Sequence, residues 1–155
     1  MLRRAAMRHG LLLPPQLRGL VPFAPRKLDL CHALSVKAWT VHLPELAAAL
    51  SIPCKPSPSN SIGRLVENGE WGRVRQQVLA DVLTTTVVGL ETLSMTGEVS
   101  WQPTAATAAV AEVTVSAMPH SRFVAQTFQL WAMSRPKAES LWAASCRSAF
   151  EQIQL

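Results

Sequence analysis

A chain of 155 residues can build one domain with a real core but not comfortably two. It is 48% hydrophobic and only 16% charged, where soluble domains run near ~25% charged, so much of its surface is expected to be buried in a membrane, a partner or both. The net charge of +5 does not describe a nucleic-acid-binding body: residues 1–44 carry +6, from Arg3, Arg4, Arg8, Arg18, Arg26, Lys27 and Lys37 against Asp29, and residues 45–155 carry −1 with no basic stripe interleaved with aromatics.

The first region, residues 1–60, reads as an extended arm. It opens "MLRRAAMRHGLLLPPQLRGL", Arg-rich, acid-poor and without the long apolar core of a secretory signal, which suits a mitochondrial or plastid import sequence. Pro14, Pro15, Pro22 and Pro25 interrupt regular structure early. A short helix is predicted over "PELAAALS" (44–51), with Pro44 in its first turn, and the proline-rich "IPCKPSPSN" (52–60) reads as a linker. Cys31, Cys54 and Cys146 include no CxxC pair, which indicates no disulfide framework and fits a reducing compartment.

In the second region, residues 61–102, a short helix is predicted to stop at Asn68-Gly69 and a long one to run from about Glu70 to Trp101, ahead of Pro103. The third region, residues 103–155, is expected to hold further amphipathic helices. "TAATAAVAEVTVSAM" is Ala-rich, although "VAEVTV" could pair as a strand, and Pro119 and Pro136 divide two more helices over 121–134 and 136–154. Trp142, Cys146, Ala149, Phe150 and Ile153 recur at helical spacing on one face of the last. The fold class is all-α.

The long helix has the dimensions of a membrane span. Residues 76–97 would measure about 33 Å, against ~30 Å of hydrocarbon, and Trp71 and Trp101 would lie roughly 45 Å apart, at the two headgroup levels where Trp is enriched. Arg64, Arg73 and Arg75 precede the span and no basic residue follows until Arg122, which predicts an N-terminal side in the matrix. Trp71, Arg73, Arg75 and Trp101 are therefore the expected membrane-interface residues. Glu91, near the middle, would cost about 2.5–3.5 kcal/mol in lipid unless neutral or paired. It shares a side with Ala80, Thr84, Val87 and Glu98, whereas Val78, Leu79, Val82, Leu83, Leu90 and Leu93 lie opposite. Such a helix spans well only inside a complex. Ala80-xxx-Thr84, Thr85-xxx-Gly89 and Thr92-xxx-Thr96 are small-residue pairs of the kind that lets helices approach closely in lipid. Ala80, Thr84, Thr85, Gly89, Glu91, Gly97 and Glu98 are the expected helix-interface set.

"IGRLVENGEW" (62–71), "VLADVL" (78–83), the acid at Glu91 and "GEV" (97–99) together resemble subunit g, an accessory subunit of mitochondrial ATP synthase. The resemblance implies a single span that pairs with another small subunit, supports dimerisation and membrane curvature, and performs no chemistry. The chain departs from the pattern in having Gly89 and Gly97 eight apart, so that the strict GxxxG is missing, and in its long extension after the helix.

No catalytic or metal-binding pattern stands beside this. The four histidines never fall at i, i+3 or i+4 to one another, and Cys31, His32, His42 and Cys54 match no zinc spacing. There is no phosphate-binding glycine loop or nucleophile elbow. Asp81, Glu91 and Glu98 read as bonds to neighbouring helices or lipid headgroups rather than as a proton relay. The expected partners are other subunits of a membrane complex and lipids such as cardiolipin, with no cofactor, no small-molecule substrate and no nucleic acid. A supernumerary subunit of a respiratory complex and a soluble mitochondrial ribosomal protein with an RNA-binding arm are the alternatives.

Overall fold

The computed structural model describes residues 8–10, 12, 28–34 and 42–153, with side chains as far as Leu141. Most of the expected basic arm lies outside these residues, as does the side-chain face from Trp142 to Ile153. The chain divides into two compact units, residues 1–42 and Leu43–Leu155. In the first, α1 (Leu30–Leu34) is capped by Asp29, whose Oδ1 accepts the backbone N–H of His32 at 3.1 Å. All described elements are helical, as the composition and periodicity predict.

The second unit begins with α2 (Leu43–Ala49). It is closed by a Schellman turn, in which the N–H of Ile52 bonds the carbonyl of Ala47 at 2.8 Å and that of Ser51 bonds Ala48 at 3.1 Å. The turn forces Ser51 to φ 54, a left-handed value that glycine adopts more readily. Ile52 is then buried, and residues 52–58 continue as an extended strap up to a short turn at Ser59–Ser61 and α3 (Ile62–Glu67). Gly69, at φ 69, ends α3 in the same way, with Glu70 N–H on the Leu65 carbonyl at 2.8 Å. Asn68-Gly69 is thus the stop signal that its residue types predict.

The long helix, α4, spans Trp71–Met95. It stops six residues short of the expected Trp101, because a third Schellman turn intervenes. Gly97 stands at φ 74 and Glu98 N–H bonds the Leu93 carbonyl at 3.1 Å. Pro103, expected to terminate the long helix, instead occupies the first position of α5 (Pro103–Ala117), where a missing N–H costs nothing. The stretch "VAEVTV" is helical within α5.

After Pro119 the chain turns into the last helix. Residues Val124–Phe128 form a π-turn leading into α6 (Gln129–Ile153), with Gln129 N–H on the Val124 carbonyl. Phe123 and Phe128, five apart, would point about 140° from one another on an α-helix. The extra residue of the π-turn brings both to the core side, where their rings stack at 6.5 Å. Pro136 does not divide the helix as expected. The residues just before it are held in place, Ala132 by burial and Arg135 by an ion pair to α4, and these fixed contacts outweigh the lost backbone bond.

Two contacts set the direction of these helices. Ser121 and Phe123, at the start of the last helical stretch, bond Gln76 near the beginning of α4, and Arg135 further on reaches Glu91. The arrangement is up, down and up. Around Phe128 its core is made of small and branched side chains, Ala80, Leu83, Val87 and Val88 from α4 with Thr104, Thr107 and Ala111 from α5 and Val124 and Ala132 beyond. Ser51→Gly is expected to raise unfolding stability by about 0.5–1 kcal/mol, and Gly69→Ala to lower it by about 1 kcal/mol, in denaturant titrations.

Candidate functional site

Gln77, Asp81 and Thr84 recur at i, i+4 and i+7 and form one line along α4, and the strap lies antiparallel against that line. Gln77 is buried, and its amide grips one residue of the strap twice. Oε1 accepts the N–H of Ser57 at 3.1 Å, and Nε2 donates to the Ser57 carbonyl at 2.8 Å. A side chain here pairs with backbone as a second strand would. One turn on, Lys55 Nζ sits 3.2 Å from Asp81 Oδ1. The hydroxyl of Thr84 lies 2.9 Å from the Pro53 carbonyl and 2.8 Å from that of Ala80, between which its one proton is shared. Pro53, Pro56 and Pro58 hold the strap extended before it docks, which lowers the entropy lost in docking. The proline-rich stretch is therefore a fixed strap, packed with the helices of its own unit.

On the adjacent side of α4, Gln76 Oε1 accepts the Ser121 hydroxyl at 2.9 Å and the Phe123 N–H at 3.0 Å. Ser121 Oγ in turn accepts the N–H of Val124 at 3.3 Å, capping the last helical stretch. Towards the other end, Glu91 Oε1 meets Arg135 Nη2 at 2.6 Å, an ion contact without the alignment of a hydrogen bond. The Arg135 guanidinium lies 5.1 Å over the Trp131 ring and 3.8 Å from Glu139. Both acids of the long helix are thus matched by bases of the same chain. Two buried atoms nearby in sequence to these contacts or on the facing helix, Arg135 Nη1 and Thr107 Oγ1, have no hydrogen-bond partner among the described residues.

The expected helix-interface residues separate into three groups. Ala80, Thr84 and Glu91 face inward and are used within the chain. Thr85 and Gly89 lie on the open side of α4. Thr85 turns its hydroxyl back onto the Asp81 carbonyl at 2.8 Å, and a Cβ built on Gly89 would meet nothing within 4 Å. Gly97 and Glu98 belong to neither group: they are exposed in the turn after α4, so Glu98 does not share a helix face with Glu91. Of the expected membrane-interface residues, Trp71 is 55% exposed at the start of α4, Arg73 pairs with Glu70 at 2.7 Å, and Arg75 is exposed. Trp101 lies beyond the helix end, so the 45 Å spacing to Trp71 that a continuous helix would impose does not apply. The Glu70 carboxyl is held below its ordinary range first by the hydrogen bond from Arg73 and then by that from Asn68. A depressed carboxylate adds stability that is present at neutral pH and is lost as the pH falls through the carboxylate range.

α4 is 25 residues long, about 37 Å, and is apolar enough to cross a membrane. In its most apolar stretch 33% of residues are buried, whereas the core helix of a soluble protein is mostly buried. What faces outward is Val78 and Val82, each half exposed, with Leu79, Leu90 and Leu93 partly so, while Leu83, expected on this side, is buried in the core. The hydroxyls of Thr85 and Thr86 on this side are satisfied by the helix's own carbonyls, which leaves it with few unmet polar groups. The fold also carries Arg122 back to the start of α4: it lines a small groove with Arg73, Gln76 and the strap residue Ser57. Among the described residues no group of three or more His, Cys, Asp or Glu is gathered. Comparison with family models, with curated proteins and with solved structures finds no match.

Sequence reading missed Gln76, Gln77, Lys55 and Arg135. The i, i+4, i+7 spacing of Gln77, Asp81 and Thr84 was a signal for the polar line, but Lys55 and Arg135 stand far from their acids in the chain. Thr84→Val is expected to lower stability by about 1 kcal/mol, because the strap loses a bond, and Thr107→Val to raise it by about 1 kcal/mol, because an unpaired hydroxyl leaves the core. Arg135→Gln is expected to cost about 1–2 kcal/mol and the double change with Glu91→Gln less than that, read by thermal unfolding of the four proteins.

Proposed function

We propose that the chain is a non-catalytic structural subunit of a mitochondrial inner-membrane energy-transducing complex, most specifically of the membrane region of ATP synthase, where it supports assembly, dimerisation or curvature. The observation that carries this reading is the orientation of α4. Its polar line is turned inward and satisfied by the strap and by Arg135. Val78 and Val82 stand half exposed with Leu79, Leu90 and Leu93 partly so, although Leu83, Val87 and Val88 pack into the core. Water disfavours an open apolar row of this kind beside a buried amide; lipid or an apolar partner favours it. The import-like N-terminal segment supports the mitochondrial location, and the resemblance over residues 62–101 supports the particular complex.

The strap explains why the protein would be a subunit rather than a lone span. Extended backbone is not tolerated against hydrocarbon, and the strap lies beside Gln77 to Thr84, inside the apolar length of α4. That side needs protein or water, while the Val78–Val82 side can meet lipid. A helix with two such faces belongs at the edge of an assembly. The gathering of Arg73, Arg75 and Arg122 at one end of α4 supports an orientation with that end in the matrix. A supernumerary subunit of a respiratory complex satisfies the same constraints.

The strap is also what favours a second reading, a soluble mitochondrial ribosomal protein that threads the basic residues 1–44 into RNA, because in water an extended strap needs no cover. Alkaline carbonate extraction of mitochondria, followed by native-gel separation of a detergent extract, decides between them. Retention in the membrane pellet and co-migration with ATP synthase is the expected result. Retention with a different complex would replace the assignment, and full release would replace the membrane reading itself.

A further inference from the structure

A groove of about 930 Å³ runs beside the first half of α4, between Trp71–Val82 and the α5–α6 connection at Ala117–Ser121, a volume at the upper end of ligand pockets. Val74, Val78, Leu79 and Val82 form its helical wall, and Met118 and Pro119 stand on the other side. Arg75 is the one charged residue among those lining it and His120 the one other titratable group. No acid lines it. Arg75 and His120 are both exposed, and neither makes an ion pair or side-chain hydrogen bond among the described residues. They stand at the same end, because His120 precedes the Ser121 that bonds Gln76.

We propose that this groove holds one acyl chain of an anionic phospholipid, with the headgroup phosphate on Arg75 and His120. The inference rests on the reading of α4 as a membrane helix and goes beyond it in naming an occupant. From Arg75 to Val82 is about 10 Å along the helix, roughly two-thirds of the hydrocarbon depth of one leaflet, taken as half of ~30 Å. A cation at one end of an apolar slot of that length matches the layout of a phospholipid headgroup and the upper part of its chain. Trp71, at the charged end, is the residue type that settles at the headgroup level. A peptide fits less well, because its amides would need partners, and the Gln76 amide oxygen in the groove is already taken by Ser121 and Phe123. The small-residue pair Thr85-xxx-Gly89 lies further along α4 and leaves a helical partner its own place.

The test is native mass spectrometry of the purified full chain in detergent micelles, with phosphatidylglycerol or phosphatidylcholine of the same acyl composition added in turn. The expected result is retention of phosphatidylglycerol about fivefold above phosphatidylcholine, as one fixed cation, Arg75, at a headgroup would produce. The double change Arg75→Gln and His120→Gln should abolish that preference without moving the unfolding midpoint, since both side chains are exposed. Val78→Trp, which fills the slot from a half-exposed position, should reduce retention of both lipids. Equal retention of the two lipids, a preference that survives the double change, or full displacement by inorganic phosphate would each overturn the proposal. Micelles require no span, so a failure here leaves the carbonate result standing, and release by carbonate leaves this selectivity to be read independently.

Discussion

The double hydrogen bond between the Gln77 amide and the backbone of Ser57 is the contact on which the arrangement around α4 turns. A buried amide left without partners would cost roughly 1–3 kcal/mol, and here both its groups are satisfied by one residue of an extended strap. With Gln77 committed inward, the helix cannot rotate. Asp81 and Thr84 then fall against Lys55 and Pro53, and Glu91, four turns further on, falls against Arg135. Val78 and Val82 are left half exposed by the same rotation, while Leu83, Val87 and Val88 join the core. The open apolar row of this helix is thus a consequence of where its amide and acids find partners.

The two ends of α4 do different work. At the start, Gln76 and Gln77 each tie down a different segment, so that the strap and the last helical stretch are placed by neighbouring side chains of one turn. The same turn gathers Arg73, Arg75, His120 and Arg122 around two grooves. At the far end, the fit is made by packing of Val87, Val88, Thr92 and the Arg135–Trp131 pair, with no extended segment involved. Charge and concavity both concentrate at the first end, and the proposed lipid site follows from that asymmetry.

Much of the helical architecture was legible because it rests on local chemistry. Asn68-Gly69 stops a helix because glycine tolerates φ 69, and the Ala-rich stretch after Pro103 forms a helix because alanine loses so little entropy there. The misread positions also have local reasons. Gly97 looked like a contact residue inside a helix but serves as a left-handed terminator, and both roles favour glycine. Pro136 looked like a boundary, and tertiary contacts on the preceding turn overrode it. Of the proposed interface, the placement of Ala80, Thr84 and Glu91 on one face followed from 3.6-residue periodicity alone.

Composition and periodicity determined an all-helical chain with one helix long enough to cross a bilayer and with its acids largely on the side of its small residues. They could do so because such properties depend on residues within a few turns of one another. What covers those residues was decided by folding. Lys55 is 26 residues from Asp81 and Arg135 is 44 from Glu91, and no pattern in the chain links either pair. A proline-rich stretch became a strap, and His120 and Arg122 became part of a basic end, only when the chain folded back on itself. Partners are chosen by proximity in space, and over such separations that proximity exists only in the folded protein.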